Sequence, residues 1–283
     1  MKAPGTPPAD AFFLESEGRQ RFCLYHPPAG PARGAVLYVH PFAEELNRTR
    51  RMAAMQARAL AVHGFGVLQI DLTGCGDSSG DFGDARWELW KDDLAAGAAW
   101  LRQRVDGRFT LWGLRLGALL ALDYARGARH PVDAMLLWQP VLKGTQHLNQ
   151  FLRLHMAGAL LTEGNGAAHG GTEALRATLH AGGALEIAGY ELAPQLARAL
   201  EALPSLEALA PTCPVDWIET VSAAGQEAAP GALRAVAAWR AAGVGVRLHP
   251  VQCAPFWATS EITENTAWID ATSDALLERM HGT

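Results

Sequence analysis

One alternation constrains this chain more than any other feature. Four short apolar runs, GAVLYVH, GVLQIDL, FTLWGL and DAMLLWQP, are separated from one another by single helix-like stretches. A run that is apolar at nearly every position suits a strand covered on both faces, as parallel strands are. Successive β-α-β units of this kind require a mostly parallel, twisted sheet with helices on both sides. The expected class is therefore α/β.

The flanks extend the pattern. AFFLES and RFCLYH read as two strands of a hairpin ahead of the parallel set. RTRRMAAMQARALAVHG carries Met52, Met55, Ala59 and Leu60 at helical spacing and stops at Gly64, so a helix opened by Arg48, Arg50 and Arg51 is expected behind the acidic pair Glu44-Glu45. DARWELWKDDLAAGAAWLRQRV and ALLALDYARG are the next helices. From Val141 to about Ala210 the alternation fails, and the stretch reads as helices and loops without a strand, including the glycine-rich gap EGNGAAHGG. The sheet pattern returns with PVDWIETV and VGVRLHPVQ, and the helices GALRAVAAWRAAG and ENTAWIDATSDALLERM complete it. The expected organisation is a core of residues 1–140 and 211–283 with a helical lid, residues 141–210, inserted between strands.

Charge and composition exclude several classes of function. The formal net charge is -5 and no basic stripe is long enough to neutralise a row of phosphates, so nucleic acid is not an expected partner. The apolar runs fall short of the roughly 18 residues of a membrane span, and the opening MKAPGTPPAD has no apolar signal core, which predicts a cytoplasmic, soluble protein. Cys23, Cys75, Cys213 and Cys253 form no C-x-x-C pair, and the ten histidines include no zincin-type helix pair, so neither a disulfide framework nor a metal is expected. TGCGDSSG lacks the Lys-Ser/Thr of a phosphate-binding loop and the third glycine of a dinucleotide loop. No cofactor is expected.

The strand FTLW meets the helix ALLALDYA through Gly113-Leu114-Arg115-Leu116-Gly117, which has the spacing of a nucleophile elbow. The position of the nucleophile holds arginine. A guanidinium is permanently protonated and cannot attack a carbonyl.

With the elbow glycines, YVHPF at a strand end, and DLTGCGDSSGD with Asp71, Gly74, Gly76, Ser78 and Gly80 in place, the chain from about Phe12 onward resembles the α/β-hydrolase superfamily. VHPFAEELNRTRRM, GLRLGA, LLWQPVLKG and APFW resemble more narrowly the hydrolases associated with exosortase systems of exopolysaccharide-producing bacteria. The resemblance implies an α/β-hydrolase fold and a context of exopolysaccharide and surface-protein sorting. It implies no particular substrate.

Such a hydrolase needs a nucleophile, a histidine, an orienting carboxylate and oxyanion donors. Here Arg115 occupies the first position, Pro255 stands near the place of the histidine, His249 comes too early, and Glu219 or Glu227 are the only acid candidates. The resemblance places the oxyanion donors at the backbone N–H groups of Phe42 and Leu116. A cation at a helix N-terminus costs about 0.3–1 kcal/mol unless an anion answers it, so Glu44 or Glu45 is expected beside Arg115.

Two readings stay open. Arg115 and the acidic pair close a defunct site, or Arg115 and the helix end bind a carboxylate, phosphate or sugar acid, with Phe42, Leu116, Glu44, Glu45, Gln139 and Trp257 as the other candidate ligand contacts. The expected partner is an anionic or acyl-bearing small molecule, or a protein of the exopolysaccharide system. The alternative is an ester or thioester hydrolase with a non-standard constellation, for which His40, Glu44 and Cys75 are the catalytic candidates. His40 also reads as a brace of the oxyanion loop, and Asp71 and Ser78 as braces of their glycine loop.

Overall fold

The computed structural model describes residues 7–163, 171–259 and 261–281, and of residues 157–163 and 281 the backbone alone. Residues 164–170, most of the glycine-rich gap, and the first six residues lie outside the described residues.

An eight-stranded sheet forms the centre. Its strands are β1 (Asp10–Ser16), β2 (Arg19–His26), β3 (Gly34–Val39), β4 (Phe65–Ile70), β5 (Arg108–Leu114), β6 (Ala134–Trp138), β9 (Val215–Val221) and β10 (Val246–Gln252). Their order is β1-β2-β4-β3-β5-β6-β9-β10. β1 and β2 form the expected antiparallel hairpin, β2 runs antiparallel to β4, and every pair from β4 to β10 is parallel.

β3 shows why its sequence is apolar throughout. Ala35, Leu37 and Val39 belong to one core cluster, with Leu94 of α2 (Trp87–Arg102), Leu119 of α3 (Leu116–Gly127) and Trp239 of α7 (Pro230–Ala241). Val36 and Tyr38 belong to the other, with Met52 and Leu60 of α1 (Glu44–Val62) and Trp268 of α8 (Thr266–His281). The two-residue period of a strand divides one short run between two cores.

α1 begins earlier than its apolar spacing predicts. Glu44 and Glu45 form its first turn instead of preceding it. Carboxylates are favoured there because they answer the positive end of the helix.

The insertion between β6 and β9 also differs from expectation. Beside α4 (Gly144–Glu163), α5 (Gly171–His180) and α6 (Pro194–Ala202) it holds an antiparallel hairpin, β7 (Leu185–Ile187) and β8 (Tyr190–Leu192), turned at Ala188 and Gly189 with φ of 51° and 83°. Three-residue strands offer a single alternation, too little to stand out from loop. Leu148, Leu152, Leu196 and Leu200 of the insertion join the same buried cluster as Leu37 and Leu119. The insertion is packed continuously onto the sheet's core.

Candidate functional site

The C-terminal ends of β3, β5 and β6 meet at Arg115. This residue is the N-cap of α3, with φ 55° and ψ -119°, a conformation that strains any residue with a side chain by about 1–3 kcal/mol. The surroundings hold it. Its N–H donates to Trp138 O at 3.0 Å, and its carbonyl accepts from Ala118 N–H at 3.1 Å. The elbow glycines are obligatory by contact: a Cβ on Gly117 would stand 2.3 Å from His40 O, and one on Gly113 2.4 Å from Ala118 Cα. The backbone thus has the shape of a nucleophile elbow with a cation at its tip.

The arginine is answered by the anion that the helix field demands. Arg115 Nε lies 3.3 Å from Glu45 Oε1, while Glu44 pairs with Arg48 at 3.3 Å. Burial pushes the Glu45 carboxyl up and Arg115 pulls it back, and its Oε2 is buried with no donor among the described residues. The Arg115 guanidinium also sits 5.2 Å from the centre of the Trp257 ring, within cation–π range.

These groups border a cavity of about 270 Å³, walled by Phe42, Arg115, His147, Phe151 and Trp257 with Glu44, Glu45 and Arg48 at its polar side. Sequence reasoning passed over His147. It is 5% exposed, and neither ring nitrogen has a partner among the described residues. Burial, and then the Arg115 charge, push its pKa down to about 3, so the ring is neutral. His147, Phe151 and Leu154 all border the cavity from α4, and their i, i+4, i+7 spacing was the signal available in the sequence.

The N–H groups of Phe42 and Leu116 donate no hydrogen bond among the described residues. Both residues border a second, smaller space of about 10 Å³, which Cys75 shares. That space holds no more than a water. The Cys75 thiol is 7% exposed, and burial, with Asp71 next, pushes its pKa far up, so it stays protonated. Both effects oppose the thiolate that a cysteine nucleophile requires.

His40 has both nitrogens occupied. Nδ1 donates to Pro41 O at 2.7 Å and Nε2 accepts from Leu72 N–H at 3.2 Å, and burial pushes its pKa down. It ties the β3 loop to the β4 loop as a brace and has no free lone pair for general-base work. Gln139 is likewise committed: its amide donates to Glu219 Oε1 at 3.0 Å and accepts from Thr220 N–H at 2.7 Å. These bonds join β6 to β9. Glu219 spends its other oxygen on Trp217 Nε1 at 2.7 Å, and Glu227 is exposed. His249 lies on β10, as expected, with Nε2 3.1 Å from Asp216 Oδ1.

The glycine loop is braced from within. Ser78 Oγ donates to Asp71 O at 2.6 Å and accepts from Phe22 N–H at 2.9 Å, and the Asp71 carboxylate takes Arg50 at 3.0 Å. Of the three basic residues at the start of α1, Arg48 pairs with Glu44, Arg50 with Asp71 and Arg51 with Glu264. No group of three or more metal-ligating side chains forms among the described residues, and no described helix is long and apolar enough to cross a membrane.

Comparison with known proteins agrees with this architecture. Residues 30–167, close to half of the chain, match the serine aminopeptidase S33 family. No curated protein matches the chain. Among solved structures, a thermostable carboxyl esterase from Bacillus coagulans superposes with a TM-score of 0.63 at 15% identity, over 98% of this chain and 99% of that one. Est1E from Butyrivibrio proteoclasticus, solved with ferulic acid bound, gives 0.61 at 15% identity over 96% and 100%. Mouse alpha/beta hydrolase domain-containing protein 10 gives 0.60 at 14% over 96% and 99%. At these identities the likeness is one of fold, and the fold is that of the α/β-hydrolases.

Proposed function

We propose that this α/β-hydrolase-fold chain is a binding protein, in which Arg115 at the elbow holds the anionic head of a small acyl- or aryl-bearing molecule and no acyl-enzyme forms. The observation that carries this reading is the guanidinium at the elbow tip, bordering a cavity of about 270 Å³ with an aromatic wall. That volume approaches the range of small-molecule sites, and a few polar groups set in an apolar pocket is their usual make-up. A cation at the attacking position removes the nucleophile and supplies an anion site in its place. The triad is lost on this reading, since Arg115 stands at the nucleophile position and Pro255 near that of the histidine, and the substitute candidates His40 and Cys75 are braced and buried.

The S33 match and the esterase neighbours supply the hydrolase ancestry. The resemblance of VHPFAEELNRTRRM and APFW to exosortase-associated hydrolases supplies the context: a cytoplasmic role beside exopolysaccharide synthesis, with a protein of that system as the alternative partner.

A retained hydrolase is favoured by one observation: the N–H groups of Phe42 and Leu116 donate no hydrogen bond among the described residues. Turnover of p-nitrophenyl esters and acyl-CoA thioesters separates the two readings, with Cys75→Ala, Glu44→Gln and His40→Ala run in parallel. Binding without chemistry predicts no saturable turnover by the wild type. Saturable turnover abolished by one of the variants overturns it.

A further inference from the structure

The charges around the cavity cancel, and a bound anion breaks that balance. Glu44 answers Arg48 at 3.3 Å, Glu45 answers Arg115 at 3.3 Å, and all four side chains border the space of about 270 Å³. The lining holds no third cation among the described residues. Arg115 spends Nε on Glu45. Its terminal nitrogens make no hydrogen bond among the described residues, and they are not closed off as Glu45 Oε2 is. An anion on that outer edge puts two carboxylates on one guanidinium.

Glu45 is the group placed to give up its charge. Nothing among the described residues donates to its Oε2, so no hydrogen bond there favours the carboxylate over the acid. Burial pushes the carboxyl up, and Arg115 is the main influence that pulls it back. An anion sharing Arg115 weakens that pull and adds a like charge, and of two carboxylates at one site one takes a strongly raised pKa. The other titratable groups nearby are worse placed. Glu44, on the same turn of α1, keeps Arg48 as its own partner. Tyr38 of β3 holds its proton, since burial pushes the hydroxyl up. His147 borders the cavity from α4, and burial sets its pKa at about 3.

We infer that binding of a carboxylate at Arg115 takes up one proton from solvent, held on Glu45, so that the site grips its ligand more tightly as pH falls. The inference rests on the binding reading above and adds its regulation: the site loads in acid and releases as pH rises. The ligand enters as the anion, Glu45 becomes neutral, and the cavity keeps the zero net charge of the free protein. The sign follows from linkage. Affinity falls by up to about tenfold per pH unit between the pKa of Glu45 in the free protein and its higher value in the complex, and is level outside that window.

Calorimetric titration of the full chain with phenylacetate from about pH 5.5 to about pH 8.5 tests this, a range in which an ordinary carboxylate probe stays ionised. Glu45→Gln is titrated beside wild type, with circular dichroism to establish its fold. Wild type is also titrated at one pH in two buffers of different ionisation enthalpy, a test of uptake that needs no variant. Wild-type affinity is expected to fall by about tenfold or more across the range, with a heat that differs between the buffers. Glu45→Gln is expected to bind with an affinity level in pH. A level wild-type profile with the same heat in both buffers overturns proton uptake and leaves the anion site standing. Equal slopes in wild type and folded Glu45→Gln overturn the assignment to Glu45. Absence of binding by wild type at every pH overturns the binding reading and this inference with it.

Discussion

Arg115, at the start of α3, and Glu45, in the first turn of α1, face each other at 3.3 Å, so two helix N-termini share one ion pair. The two ends of the pair stand in opposite relation to their helices. Glu45 is favoured by the field of α1, whereas Arg115 is opposed by the field of α3 and depends on Glu45 to hold its place. The pair uses only Nε of the guanidinium, which leaves the outer edge to the cavity.

Removing the cation strands the anion. Arg115→Ala leaves the Glu45 carboxylate buried without its partner, and a loss of about 1–3 kcal/mol in chemical denaturation is expected. Arg115→Ala/Glu45→Gln recovers most of that loss. If the double variant is as unstable as the sum of the singles, the two residues are uncoupled and the pairing is wrong.

The elbow is a packing constraint whether or not a nucleophile sits on it. Gly117→Ala drives a Cβ to 2.3 Å from His40 O, against backbone that cannot step aside. A loss of about 3 kcal/mol or more in stability is expected, read from the denaturation midpoint at constant slope. A midpoint within error of wild type would mean that β3 and α3 are not in such close contact.

The acid side of the stability curve carries the His147 signature. Its folded pKa of about 3 lies below the unfolded value near 6.5, so its contribution is present above pH 6.5 and is lost as pH falls toward 3. His147→Phe is expected to flatten that limb and to raise the melting temperature at neutral pH by a few degrees, since two unmet nitrogens disappear. Glu45 acts in the opposite sense. Its carboxyl is pushed up, so stability falls as pH rises past the ordinary glutamate range near 4.3, and Glu45→Gln removes that fall. A His147→Phe profile that follows wild type from pH 6.5 downward would show the ring to be solvated.

Much of this architecture is written in the chain. The β3 and β5 runs announce parallel strands, and Gly113 and Gly117 mark the elbow, because sheet packing and close backbone approach leave few residue choices. The partner of Arg115 follows from helix electrostatics as one of two glutamates, and the fold selects Glu45. The β7–β8 hairpin is hidden because three-residue strands carry almost no period. His147 is hidden for another reason: its importance lies in what it lacks, and an unpartnered nitrogen is a property of the packed state. Gln139 reads from its place at the mouth equally as a ligand contact or as a loop hydrogen bond, and the strand behind it, with Glu219 and Thr220, takes its amide.

Thiol chemistry offers a check on Cys75 that is independent of any ligand. With burial pushing its pKa far up, Cys75 is expected to resist alkylation by iodoacetamide at pH 8 in the native state, while the partly exposed Cys253 is modified first. Rapid modification of Cys75, located by peptide mapping, would reopen it as a nucleophile.

The central claim is that the guanidinium at the elbow binds an anion. Its most direct measurement is calorimetric titration of an apolar monocarboxylate, phenylacetate, into wild type and Arg115→Met, with circular dichroism to establish that the variant is folded. The account predicts saturable binding by wild type and an affinity at least about tenfold weaker in the folded variant. Equal affinity in the two proteins, or no binding by wild type, contradicts it.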